Sequence, residues 1–132
     1  MLGDPLNLAA RLEGAGKHYK LYTLIGENTY NKVKDEIICR LIDRVLVVGK
    51  HIPIRIYEPI ANKSKITKEQ QNMIEKFENA RQLYLDRKWI DAVDAFREIN
   101  DGPSNVYLDR IMDFISKPPG DEWNGVYELT QK

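Results

Sequence analysis

At 132 residues the chain has room for one ordinary domain, or for two small units that support each other. Hydrophobic residues make up 42% and charged residues 30%, a balance that excludes a disordered low-complexity segment. Twenty Lys plus Arg against 20 Asp plus Glu leave no net basic field to hold a nucleic-acid polymer or a membrane surface. Cys39 is the single cysteine, so no internal disulfide forms, which fits a reducing, cytoplasmic setting. No signal-peptide pattern follows Met1 and no apolar run is long enough to span a bilayer, although an anchor upstream would be compatible with these features.

The pattern predicts a first helix from Asp4-Pro5, an acidic N-cap followed by proline at the first helical position, with Leu8, Ala9, Leu12 and Ala15 as its apolar stripe up to about Gly16. Because this helix begins within a few residues of Met1, the chain reads as cut from something longer. Lys20 to Ile25 is a short β-rich run. Glu27 to Asp35 is a second helix, with Tyr30 and Val33 at helical spacing. Ile37 to Val48 is a strand rich in β-branched residues. A turn at Gly49-Lys50 leads to a strand from Ile52 to Glu58, in which Ile52, Ile54 and Ile56 share a face and Pro53 marks an edge or a strand start. Residues 1–58 therefore read α-β-α-β-β, a mixed and incomplete fold.

Residues 59–66 read as a polar, basic linker. Residues 67–132 read as a helical extension and tail. Thr67 to Gln70 is a capping-box pattern, and Met73, Ile74, Phe77, Ala80, Leu83 and Tyr84 form the apolar side of the helix behind it. Trp89, Ala92, Val93, Phe96 and Ile99 mark the next helix, stopped by Asp101-Gly102-Pro103. Ser104 is read as the cap of a third helix carrying Tyr107, Leu108, Ile111 and Ile115. In the tail, Trp123, Val126 and Tyr127 suggest docking on the helices. The hairpin of small residues and aromatics resembles a tetratricopeptide unit. One and a half such units need neighbours to bury their apolar faces, so packing within the protein and a groove for a protein partner are both open readings.

The stretch from Gly3 to Glu13, GDPLNLAARLE, carries the chemistry. Asn7 and Arg11 are four residues apart, on one helix face near the positive end of the helix dipole. An amide and a fixed guanidinium there suit an anionic ligand, and the same pair also describes a solvated face.

GDPLNLAARLEG resembles the G-D-x-V-N-x-A-x-R signature of class III adenylate and guanylate cyclases. The order behind it is also similar: a short strand, Gly-Glu-x-Thr-Tyr opening a helix, a strand ending V-x-G-K, then P-I-R-I-Y-E, over about residues 2–58. The resemblance implies α+β architecture, with residues 1–58 the C-terminal part of a ferredoxin-like cyclase domain followed by an α-helical hairpin-type extension. It also implies conversion of ATP, or less readily GTP, to the cyclic nucleotide and pyrophosphate. Carried over residue by residue, it makes Asn7 the group that orients the ribose. Arg11 becomes the group that stabilises phosphate charge as the 3′-hydroxyl attacks.

Two departures qualify the resemblance. The family's V-K-G-K here reads Val47-Val48-Gly49-Lys50, so Val48 replaces the phosphate-reaching lysine, and Lys50 is either its substitute or a solvated turn residue. The family's two metal-binding aspartates lie upstream of the matched segment, so the ligands for Mg or Mn are absent from this chain. Asp4 belongs to the motif as an N-cap, and His51 reads as a surface residue. The family builds its site between two protomers, and a truncated sheet leaves open edges, so a homodimer is expected. Alone, the chain is expected to be inactive. The alternative is a non-catalytic module in which the helical hairpin binds a protein.

Overall fold

The computed structural model describes residues 15–47, 49 and 51–129, which fall into two units. One comprises the residues up to Ile66 together with those from Val126 onward; the other is Thr67–Gly125. The chain is mixed α+β; the predicted first helix lies outside the described residues up to position 14, and from residue 15 onward a helix, a strand, a helix and two strands follow one another, the first helix running past the expected end at Gly16.

In the first unit, helix α1 is described at residues 15–19. It ends where Lys20 turns to φ 58° and the Leu21 N–H donates to the Gly16 carbonyl at 2.8 Å, the left-handed closure that satisfies terminal carbonyls. Strand β1 is Ile25–Gly26, helix α2 Glu27–Val33, strand β2 Ile37–Val47 and strand β3 Ile54–Asn62. A fourth strand, β4 (Tyr127–Leu129), completes a sheet of order β1-β3-β2-β4. The β1–β3 and β2–β3 pairs are antiparallel, and β2–β4 is parallel.

Several expectations are corrected here. The β-rich run from Lys20 shrinks to two residues of strand, and Tyr22 is fully exposed, because the left-handed Lys20 turns the chain before pairing begins. No residue of α2 is buried; Tyr30 instead stacks on Tyr57 of β3, with ring centroids 3.8 Å apart and an interplanar angle of 5°. Ile52 precedes β3 and is exposed, so it does not share a buried face with Ile56. Pro59 to Asn62, read as linker, is the end of β3. Pro59 brings no N–H to the ladder and is tolerated where the register shifts, between Ile38 and Cys39.

A second register shift, between Leu41 and Asp43, sets the core. Arg40 is buried before it, Ile42 within it, and Asp43, Val45 and Val47 after it. A bulge moves the alternation by one residue and so re-aims every side chain beyond it. Tyr19, Ile42, Val45 and Ile56 are the fully buried apolar centre of this unit.

The second unit contains α3 (Lys68–Leu85), α4 (Trp89–Ile99) and α5 (Gly102–Ser116). The Thr67 capping box is present, its hydroxyl accepting from the Gln70 N–H and the Gln70 side chain accepting from the Thr67 N–H. α4 ends at Asn100, in the left-handed region at φ 54°. The cap of α5 is Asp101, not Ser104: the Asp101 carboxylate accepts the Ser104 N–H at 3.0 Å, and Pro103 sits in the first turn. Phe77, Ala80, Tyr84, Ala92, Phe96, Tyr107 and Ile111 are all essentially fully buried, whereas Ile115 is 43% exposed. The tail divides. Trp123 joins Tyr84, Trp89 and Phe114 in an aromatic cluster, as expected, but Tyr127 departs from the helices and pairs in β4. Among the described residues no helix is long and apolar enough to cross a membrane.

Candidate functional site

Asn7, Arg11 and Lys50 lie outside the described residues, as do Val48 and Asp4. The described residues supply the frame that flanks them in sequence: the end of α1, the end of β2, and the turn at Gly49 that carries φ 83°.

A buried polar contact joins α1 to β2. The Tyr19 hydroxyl donates to Asp43 Oδ2 at 2.5 Å, with both residues 0% exposed. Asp43 Oδ1 accepts the Arg44 N–H at 2.8 Å. Burying a carboxylate is costly unless donors surround it, so these bonds fix where the α1 terminus meets the strand. His18, beside Tyr19, meets that ring edge-on at 4.9 Å and lies parallel to Tyr127 of β4 at 5.9 Å and 11°.

Further along β2, Arg40 faces Glu58 across the β2–β3 ladder. Its Nε and Nη2 donate to Glu58 Oε1 at 3.0 and 2.5 Å. Arg40 is 3% exposed and the Glu58 side chain 21%, so the pair sits at the boundary of the core with one carboxylate edge in water. Cys39, next in line, is half-buried; burial pushes its thiol above the usual range. Burial also raises Tyr57, with the Tyr30 hydroxyl beside it adding to the effect.

Among the described residues no cluster of three or more His, Cys, Asp or Glu is placed to hold a metal ion. Asp43 is committed to Tyr19 and a backbone amide, and Glu58 to Arg40. These groups do not fit a Mg or Mn site. The Tyr19–Asp43 and His18–Tyr127 contacts were not foreseen from sequence. A lone Asp within an apolar strand was the available signal, since it must find a buried donor.

Comparison with known proteins bears on this frame. The chain is 32% identical over 123 residues to the adenylate cyclase, terminal-differentiation specific, of Dictyostelium discoideum. The match covers 86% of this chain and 6% of that protein, so the chain spans a small part of the relative's length. Residues 1–66 are half of the chain, so the similarity extends into the helical unit. It supports a relationship to adenylate cyclases. No family model matches the chain, and no solved structure matches it.

Proposed function

We propose that this chain is the C-terminal part of a class III adenylate cyclase catalytic domain, of partial ferredoxin-like architecture, joined to a tetratricopeptide-like helical unit. In the longer enzyme it serves the conversion of ATP to cyclic AMP and pyrophosphate. The observation that carries this reading is the similarity to the Dictyostelium cyclase across most of the chain. The GDPLNLAARLE motif supports it at the level of residues. Asn7 orients the ribose and Arg11 stabilises the charge that develops on the phosphates, so positioning and electrostatics supply the catalysis. The divalent ion, Mg or Mn, neutralises phosphate charge when bound, and its ligands belong to residues outside this chain. A homodimer supplies the second half of each site.

The test compares the purified 132-residue chain with the longer protein that contains it, both given ATP and Mg or Mn. The long form is expected to make cyclic AMP and the short form none. Arg11→Ala in the long form is expected to lower kcat about a hundredfold or more, the scale of losing one transition-state charge contact. Equal loss of folding and turnover in that variant would remove Arg11 from the chemistry.

A further inference from the structure

We propose that the helical unit docks a basic peptide segment of a partner protein on the face where Trp89, Phe114 and Trp123 meet, an inference independent of the cyclase reading. Trp89 opens α4, Phe114 lies in the last turn of α5, and Trp123 belongs to the tail that follows. Their ring centroids are 5.2, 5.4 and 5.8 Å apart, and the buried Tyr84 ring lies within 6.1 Å of each. Separations of this size are direct ring packing, so the cluster is a continuous apolar surface and not a cage with room for a small cation. All three rings are nevertheless partly exposed. Ile90, next to Trp89, is 68% exposed, and Ile115, next to Phe114, is 43% exposed. Adjoining aromatic and aliphatic groups left in water mark an interaction surface, where single scattered ones would not.

Charge selects the occupant. Residues 86–94 and 113–123, the stretches that carry these rings, contain six carboxylates, Asp86, Asp91, Asp94, Asp113, Asp121 and Glu122, against Arg87, Lys88 and Lys117. All six acids are exposed, and no salt bridge among the described residues uses any of them. Arg87 is committed within the unit: its guanidinium donates to the Pro119 and Gly120 carbonyls and lies over the Trp123 ring at 5.4 Å. That clamp holds Trp123 against the helices, so the face is preformed and little ordering entropy is lost on docking. A partly exposed aromatic patch with acidic neighbours complements a segment that offers an apolar anchor flanked by lysines or arginines.

The test titrates the 132-residue chain with a tryptophan-free amphipathic peptide of leucine and lysine, and with the same peptide carrying glutamate at every lysine. Both tryptophans of the chain lie on this face, so their emission reports docking directly. A saturable emission shift is expected with the lysine peptide, and binding about tenfold weaker or less with the glutamate peptide. Ile90→Ser, which removes an exposed apolar contact without adding charge, is expected to weaken binding of the lysine peptide about fivefold. Asp113→Lys is expected to weaken it about threefold, the scale of one exposed ion pair lost. Both side chains are exposed, so both variants are expected to fold. No saturable shift, equal affinity for the two peptides, or an affinity that either variant leaves unmoved would each overturn the proposal. Dimers in light scattering that Ile90→Ser disperses would also overturn it, by assigning the face to a second copy of the chain. None of these outcomes bears on cyclic nucleotide production by the longer protein, so the cyclase reading stands or falls separately.

Discussion

The Tyr19 hydroxyl and the Asp43 carboxylate meet at 2.5 Å with no exposure of either residue, tying the end of α1 to β2 across 24 positions of sequence. Tyr19→Phe removes this donor and leaves the ring in place. Loss of a hydrogen bond to a buried acceptor is expected to cost about 1–3 kcal/mol. Urea denaturation of Tyr19→Phe, Asp43→Asn and the double variant checks this: coupling between the two sites is expected, and strict additivity would mean that the contact carries no energy of its own.

Arg40 and Glu58 pose a different balance, because only the arginine is deeply buried. Glu58→Ala takes a counter-charge from a desolvated guanidinium. Breaking a buried pair costs about 3–5 kcal/mol, and the water that still reaches Glu58 places this variant at or below the lower end. Glu58→Gln keeps an acceptor and is expected to be milder. Midpoints of thermal unfolding that fail to rank wild type, Gln and Ala in that order would contradict the cross-strand pair as a stabilising element.

How much of this was legible beforehand follows from where local rules decide. The capping box at Thr67 and Gln70 was readable because four consecutive residues determine it, and the structure contains it. The buried Phe77, Ala80, Tyr84, Ala92 and Phe96 followed from helical spacing alone. The bulge near Ile42 was hidden, since IICRLIDRVLV is apolar at both parities and the shift depends on pairing with β3. β4 was hidden for the same reason: a three-residue strand has no period to detect, and its partner lies about 80 positions earlier. Asn7, Arg11 and Lys50 are legible only as motif, and they lie outside the described residues.

Cys39 and Tyr57 make the chain sensitive to alkali. Burial raises both groups, so over the window between unfolded and folded pKa the native state holds protons that the unfolded state has released. Their contribution is complete below the unfolded values, about 8.5 for a thiol and 10 for a phenol, and is lost as pH rises through the folded values. Stability is therefore expected to fall with rising pH from about 8.5 upward. Iodoacetamide should label native Cys39 more slowly than the unfolded chain at pH 8.5, and equal rates would refute the burial effect.

In the helical unit Tyr107 stacks on Phe96 at 4.8 Å, meets Phe77 edge-on at 5.9 Å and accepts the Arg81 Nε–H at 2.9 Å. Tyr107→Ala is expected to destabilise this unit by about 3–5 kcal/mol, the usual cost of emptying an aromatic site. Both tryptophans of the chain, Trp89 and Trp123, lie in this unit with rings 5.8 Å apart, so intrinsic fluorescence reads its unfolding selectively. A fluorescence midpoint unmoved by Tyr107→Ala would show that the ring is dispensable.

Val48→Lys tests the cyclase reading at the position where the sequence departs most from its resemblance. A lysine here, directly before Gly49 in the sequence, restores the V-K-G-K pattern. If phosphate binding is limited by the missing lysine, the new charged hydrogen bond should lower KM for ATP about tenfold in the longer enzyme, the low end of what such a bond supplies. Lys50→Ala is the partner experiment. A native Lys50 that already reaches the phosphates would make Lys50→Ala raise KM and leave Val48→Lys with little to add. A solvated Lys50 would give the reverse pattern. The two variants together thus assign the phosphate contact to one position, and a KM indifferent to both would place it on a residue outside this turn.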